Sequence, residues 1–294
     1  MIKVKQVLKN ILAQVSYMPY QCGLIKTPIK VCSVDETINE LLQTNKSMVR
    51  FGDGEISLIS GHDHRLQKAS KEIADGLRRI LEYQYEDLIV AIPDIFENLN
   101  QYSSESQKFW KEHLLFERKN YKECCRSDIK YYNSFVSRFY RMFRDKTQSE
   151  KWIEKIKLIW KDKDVVIIEG EKTHNGVGND LFNGAHSLER IIGPASGAYE
   201  VVDQIVAYCK KYPPNRLFLI SLGISAKSLT LKLFLEGYRV LDIGQIDKEY
   251  EWYLSGALEK TEIPKHEIVG DQANIDAGYG EYVSQIRAKI GDVV

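Results

Sequence analysis

Several common features are scarce or missing in this 294-residue chain. No run of 18 or more apolar residues occurs, which excludes a membrane-spanning helix. The five cysteines (Cys22, Cys32, Cys124, Cys125 and Cys209) are odd in number and lack CxxC spacing. That argues against a zinc ribbon or a disulfide framework and suits a reducing compartment. Net charge is also missing, with 41 Lys plus Arg against 41 Asp plus Glu. A general nucleic-acid binder carries a basic excess, so nucleic acid is not an expected partner. No small-residue cleavage site follows the first apolar stretch, so no secretory leader is expected and the expected location is cytoplasmic. Repeats and low-complexity tracts are absent. A composition of 44% hydrophobic and 28% charged residues is that of a chain able to bury a core.

Five short apolar runs stand out: 47–51, 88–92, 165–168, 217–221 and 239–243. Each ends at or next to Gly, Pro or an acid-bearing loop, as strands covered on both faces do. Helical spacing separates several of them, for example at Val201, Val202, Ile205, Val206 and Cys209. Alternating strands and helices predict an α/β fold, a Rossmann-like, mostly parallel sheet with helices on both faces. A ligand then sits beyond the carboxyl ends of the strands. Residues 35–294 read as one domain. Residues 108–163 hold 16 Lys or Arg against 8 acids, many aromatics, and no Pro or Gly. They predict a helical basic and aromatic insert, about 103–163, whose commoner meaning is a solvated face and whose sharper one is an anionic or sugar acceptor. Residues 242–294 balance it with 11 acids against 5 bases. Residues 1–34 read as an amphipathic helix and linker, with Val4, Val7, Leu8, Ile11, Leu12 and Val15 at helical spacing. Such a helix usually packs on its own domain. With Lys3, Lys5 and Lys9 it also suits peripheral contact with an anionic membrane.

Four polar loops follow four of the strands. Arg50-Phe-Gly-Asp-Gly-Glu55 sets Asp53 and Glu55 two residues apart between Gly52 and Gly54. Paired carboxylates with little steric cover are hard ligands for Mn²⁺ or Mg²⁺. Ser57 and Leu181 stand where a dinucleotide fingerprint needs its third glycine, so an NAD enzyme is disfavoured. The loop from Glu169 to Phe182 gathers acids, amides and glycines able to hold a nucleobase, ribose or phosphate. His174 within it reads as an ordinary loop histidine. Gly223 and Ser225 open a helix and can offer amides to phosphate, or simply cap it. Asp247, Glu249 and Glu251 follow the last of these strands, where one could serve as general base on an acceptor hydroxyl, Glu251 first.

Together these segments resemble the GT-D-type glycosyltransferase family, formerly domain of unknown function 1792. The resemblance rests on Arg50-Phe-Gly-Asp-Gly-Glu55, Ile168-Glu-Gly-Glu171, Gly178-Asn-Asp-Leu-Phe182, Gly193-Pro194, Asp242-Ile-Gly244 and Glu249-Tyr-Glu-Trp252. It covers roughly residues 35–290. It implies a UDP-sugar donor, typically UDP-glucose, with Mn²⁺ or Mg²⁺ on Asp53 and Glu55. Arg50 would lie near the diphosphate, and Glu169, Asn179 and Asp180 on the donor loop. Gln245 stands where the family reads His, and Gly223-Ile-Ser-Ala226 where it reads Gly-Pro-Thr-Ala; both fall in the donor cleft. The implied acceptor is a glycan, lipid-linked or glycoprotein, in bacterial surface polysaccharide or glycoprotein synthesis. Two rivals are a metal-dependent phosphohydrolase on the same acids and a non-catalytic nucleotide-sugar-binding subunit. The oligomeric state, homo-oligomer included, is left open.

Overall fold

The computed structural model describes residues 2–82, 85–266 and 278–293. In chain order the elements are α1 (Ile2–Gln21), β1 (Lys30–Val31), α2 (Val34–Gln43), β2 (Ser47–Arg50), α3 (Asp53–Ile59), α4 (Lys71–Glu82), β3 (Leu88–Ile92), α5 (Ser104–Cys124) and β4 (Lys130–Asn133). They continue with α6 (Ser149–Trp160), β5 (Asp164–Gly170), β6 (Ser187–Gly193), α7 (Val202–Cys209), β7 (Leu217–Ser221), α8 (Ala226–Leu235), β8 (Arg239–Asp242), α9 (Ile246–Leu254), α10 (Tyr279–Gln285) and β9 (Ile286–Lys289).

The strands form one sheet in the order β1-β4-β3-β2-β8-β7-β5-β6-β9, and every pairing is parallel. All five apolar runs are strands. They are apolar along their length because helices cover both faces. Val166 and Ile168 of β5 join one core with α7 and α8, while Val165 and Ile167 join the other.

The basic stretch is corrected by the structure. It is helical as expected in α5 and α6, but it is not an insert outside the sheet, because β4 lies between them and pairs with β3 (Ile92↔Asn133). Its aromatics are mainly core: Trp110, Tyr121, Tyr131, Phe139, Trp152 and Trp160 are all buried. Only Phe109 and Phe116 of its large aromatics are prominently exposed. Lys and Arg on the outer helix faces masked a run whose other faces are apolar. β6 and β9 also escaped the sequence reading. In β6, Glu189 and Arg190 interrupt the apolar run that marks a strand, and β9 is half polar and partly exposed.

From β2 the chain moves outward through β3 to β4 on one side, whereas from β8, beside β2, it leads on to β9 at the opposite edge of the sheet. The connection direction therefore reverses between β2 and β8. Their carboxyl ends, Arg50 and Asp242, flank the crevice where open α/β sheets bind ligands.

Candidate active site

Arg50 and Asp242 are locked together. Arg50 Nη2 donates to Asp242 Oδ1 at 3.0 Å and Nε to the Asp242 carbonyl at 2.6 Å. Nη1 donates to the Ser134 carbonyl at 3.2 Å and to Ser137 Oγ. Lys227, near the start of α8, adds a second cation: its ammonium lies 3.2 Å from Asp242 Oδ2 and 2.6 Å from Glu55 Oε1. Glu55 Oε2 in turn accepts from the Gly52 N–H at 2.7 Å. Two cations and two carboxylates thus neutralise one another under the crevice, all nearly out of solvent. Burial pushes the Asp242 carboxyl up, but Arg50 and Lys227 outweigh it, and its pKa is lowered. Burial likewise pushes the Lys227 ammonium down, yet Asp242 and Glu55 hold its pKa above the usual lysine value.

This network reassigns two expected residues. Arg50 has four of its five N–H groups engaged by the protein, so it forms part of the crevice floor. Glu55 has both oxygens engaged and caps α3, so it is not free as a second metal ligand in this arrangement. Asp53 differs: it opens α3, is exposed, and its carboxylate makes no hydrogen bond or ion pair among the described residues. Gly54 is a glycine for packing, since a Cβ there would meet the His64 ring at 3.1 Å. Gly223, at φ 56°, is exposed at the mouth; Ser225 is buried and makes no cap hydrogen bond. Gln245 is exposed at the start of α9, without a side-chain partner among the described residues.

A second cluster lies where α9 meets the β5 loop. Asp247 is fully buried. Its Oδ1 accepts from Gly176 N and Asn179 Nδ2, each at 2.8 Å, and its Oδ2 from His266 Nε2 at 2.7 Å, with the Lys265 ammonium 3.0 Å away. Burial raises its pKa, but the His266 hydrogen bond and Lys265 prevail and lower it to about 2. Glu249 is also buried and accepts from the N–H groups of Tyr140 and Arg141. Asp247 has both oxygens engaged, and Glu249 takes both of its N–H donors on Oε1; each anchors a loop, and both are buried, unlike Glu251. Glu251 keeps a 26% exposed side chain. Its Oε1 accepts from Asn179 Nδ2 and Lys265 Nζ, each at 2.6 Å, and Oε2 accepts from no described residue.

The donor-loop acids are likewise engaged by protein partners. Glu169 is buried against Arg190 and accepts from the backbone and side-chain amides of Asn175, each at 2.8 Å. Asp180 turns outward to Tyr250 and Lys157, 2.9 Å away, and these hold its pKa below the usual carboxylate value. His174 is buried on the Lys265 carbonyl at 2.6 Å, a packed loop histidine as expected.

Arg138, Lys227, Lys265 and His266 escaped the sequence reading. Arg138 is partly buried beside Glu249, Arg50 and Asp53, and its guanidinium makes no hydrogen bond or ion pair among the described residues. Burial lowers its pKa. It sat in the run read as an insert, so nothing linked it to the crevice. Lys227 carries no local signal, because a lysine in the first turn of a helix looks solvated until the fold buries it.

An all-parallel α/β sheet with a charged crevice at its switch point defines the class: a ligand-binding α/β fold suited to a nucleotide or a phosphorylated small molecule. Comparison with known proteins narrows it. The profile of the family described as "Glycosyltransferase GT-D fold" matches residues 48–270, and the chain belongs to that family. It is 40% identical over 266 residues to "Probable glycosyl transferase Gly" of Streptococcus gordonii, covering 89% of this chain and 39% of that one. It is also 40% identical to "Glycosyltransferase GlyD" of Streptococcus pneumoniae serotype 4 (strain ATCC BAA-334 / TIGR4), covering 89% of this chain and 33% of that one. The chain therefore spans well under half the length of these curated relatives. Among solved structures, "A New Glycosyltransferase (DUF1792) from Streptococcus sanguinis" superposes with a TM-score of 0.82 at 39% identity, over 90% of this chain and 100% of that one. "The highly conserved domain of unknown function 1792 has a distinct glycosyltransferase fold" superposes with a TM-score of 0.83 at 34% identity, over 96% and 98%.

Proposed function

We propose that the protein is a glycosyltransferase that moves a sugar, glucose first, from a UDP-sugar to a hydroxyl of a glycan, lipid-linked or glycoprotein acceptor. One observation carries the donor side of this reading. The charges under the crevice neutralise one another, while the side chains of Arg138 and Asp53 beside it have no hydrogen-bond or ion-pair partner among the described residues. An unpaired guanidinium suits a diphosphate oxygen.

The donor set fits Mn²⁺ or Mg²⁺ with Asp53 as the protein's ligand, because such ions commonly take one or two carboxylates and complete their shell with substrate phosphate and water. When bound, the ion would supply charge neutralisation on the leaving diphosphate. Arg138 would bind the same phosphates and stabilise the charge that develops on them. Glu251 would take the acceptor proton on Oε2, while Asn179 and Lys265 hold the carboxylate through Oε1.

The test is calorimetric titration of UDP with and without Mn²⁺. The native chain should bind UDP more tightly with Mn²⁺, Asp53→Asn should lose that dependence, and Arg138→Ala should weaken binding on the order of tenfold or more. No UDP binding with any metal would overturn the donor assignment. Release of free phosphate from nucleotides without an acceptor would favour a phosphohydrolase.

A further inference from the structure

Helix α1 is turned the opposite way from the orientation its sequence favours. Val4, Leu8, Ile11, Leu12, Val15 and Met18 cover about 120° of the helix circumference, yet each is more than half exposed. The side packed on α5 is the polar one. Ala13 and Tyr17 are buried there. Gln14 accepts from Lys111 at 2.9 Å, Lys9 pairs with Glu112 at 3.1 Å, and the Arg118 guanidinium lies 3.6 Å from the centre of the Tyr20 ring. The outward stripe is extended by Leu24, 81% exposed, just past the helix.

Charge selects what covers this face. Residues 1–34 contain Lys3, Lys5, Lys9, Lys26 and Lys30 and no acid. Lys9 is already paired with Glu112. In a two-fold dimer the same face meets itself, so Lys5, Lys26 and Lys30 would oppose lysines with no carboxylate on the segment to pair them. An anionic lipid surface satisfies both features, since its phosphates take the lysines and its acyl region takes the apolar stripe. Among the described residues no helix is long and apolar enough to cross a membrane, so the helix would lie in the interface.

We propose that α1 seats the protein on an anionic membrane surface, with Leu8, Ile11, Leu12 and Val15 entering the acyl boundary. Tyr17 donates to the carbonyl of Glu97 at 2.8 Å and also to that of Ile95. Both lie in the loop that leaves β3. This fastens the second half of α1 to the sheet edge that carries the candidate active site.

The test is flotation with phosphatidylcholine vesicles, with and without phosphatidylglycerol, of the native chain and a Leu8→Glu, Ile11→Glu variant. Both side chains are exposed, so the variant should unfold at the native temperature and bind UDP as the native chain does. That separates this proposal from the donor assignment. The native chain should float with phosphatidylglycerol vesicles and be released by salt. The variant should bind them on the order of a hundredfold more weakly. Failure to float, equal binding to both vesicle types, or undiminished binding by the variant would overturn the proposal. So would light scattering that shows a dimer dissociated by the same substitutions and no vesicle binding, which would assign the face to a second copy.

Discussion

The Arg50 guanidinium occupies the space where a side chain at residue 244 would begin. A Cβ on Gly244 would overlap Nη2 and fall 2.9 Å from Cζ, and the backbone there has φ 50°. Glycine at 244 is therefore what lets Arg50 lie flat across the end of β8 and meet Asp242.

Gly244→Ala should displace Arg50, leave the buried Asp242 carboxylate to Lys227 alone among its described cations, and cost about 3 kcal/mol. Gly256→Ala is the control: its φ is 66°, but nothing stands within 4 Å of its Cβ, so only backbone strain of about 1 kcal/mol applies. Urea unfolding of the two variants separates crowding from strain. Equal losses would mean that the guanidinium retreats freely.

Among the described residues Lys227 is the only ion-pair partner of Glu55, and it also reaches Asp242. Lys227→Met should leave two buried carboxylates short of charge and destabilise the fold by about 3–5 kcal/mol. Adding Glu55→Gln should recover part of that loss, so the double-mutant cycle should show strong coupling. Additive effects would show that the two residues act independently.

Glu251→Gln should leave UDP affinity and stability near native, because an amide oxygen can still accept from Asn179 and Lys265. Turnover should fall on the order of 10²–10⁴-fold with loss of the base. Asp247→Asn should instead lower stability, since it weakens the partners of His266 and Lys265 in the core. Full turnover by Glu251→Gln, measured with a competent acceptor, would place the base elsewhere.

Two carboxyls should tilt the pH profile of stability in opposite senses. Burial raises the Asp94 pKa to about 6, against the hydrogen bonds from Gln101 and Tyr102. Unfolded, an Asp titrates near 3.9, so the native state binds the extra proton. Stability from this group is full below about pH 4, falls as pH rises to about 6, and then stays low. Asp94→Asn should therefore stabilise the protein on the order of 1 kcal/mol at pH 7 and make little difference at pH 4. Asp247, lowered to about 2, acts the other way: its contribution is full above about pH 4 and fades as pH falls toward 2. Thermal unfolding across pH 2–8 checks both. An Asp94→Asn gain that persists unchanged at pH 4 would rule out titration as its cause.

The five strands and their direction were legible because a strand buried on both faces must be apolar at every position, a property visible in a window of five residues. The loops after them were legible because glycine and carboxylates gather where a chain leaves a sheet edge. Roles within those loops were not. Asp53 and Glu55 are two residues apart and chemically alike, yet one is free and the other is held by Lys227, 172 positions away in sequence (227 − 55). Asp247, Glu249 and Glu251 share one helix, and only the packing of Lys265, His266 and the 138–141 segment around them buries the first two and leaves Glu251 partly exposed.

The outward turn of α1 has the same origin. Its periodicity establishes an apolar face but not which way that face points, because the moment of a helix is a property of its own residues while its orientation is set by its neighbours. By itself the sequence determined the parallel α/β fold, the sheet edge that bears the chemistry and the residue types placed there. The tertiary structure alone decided which of those charges are mutually neutralised and which remain for a ligand. Pairing depends on distances of about 3 Å between groups that the chain order keeps far apart.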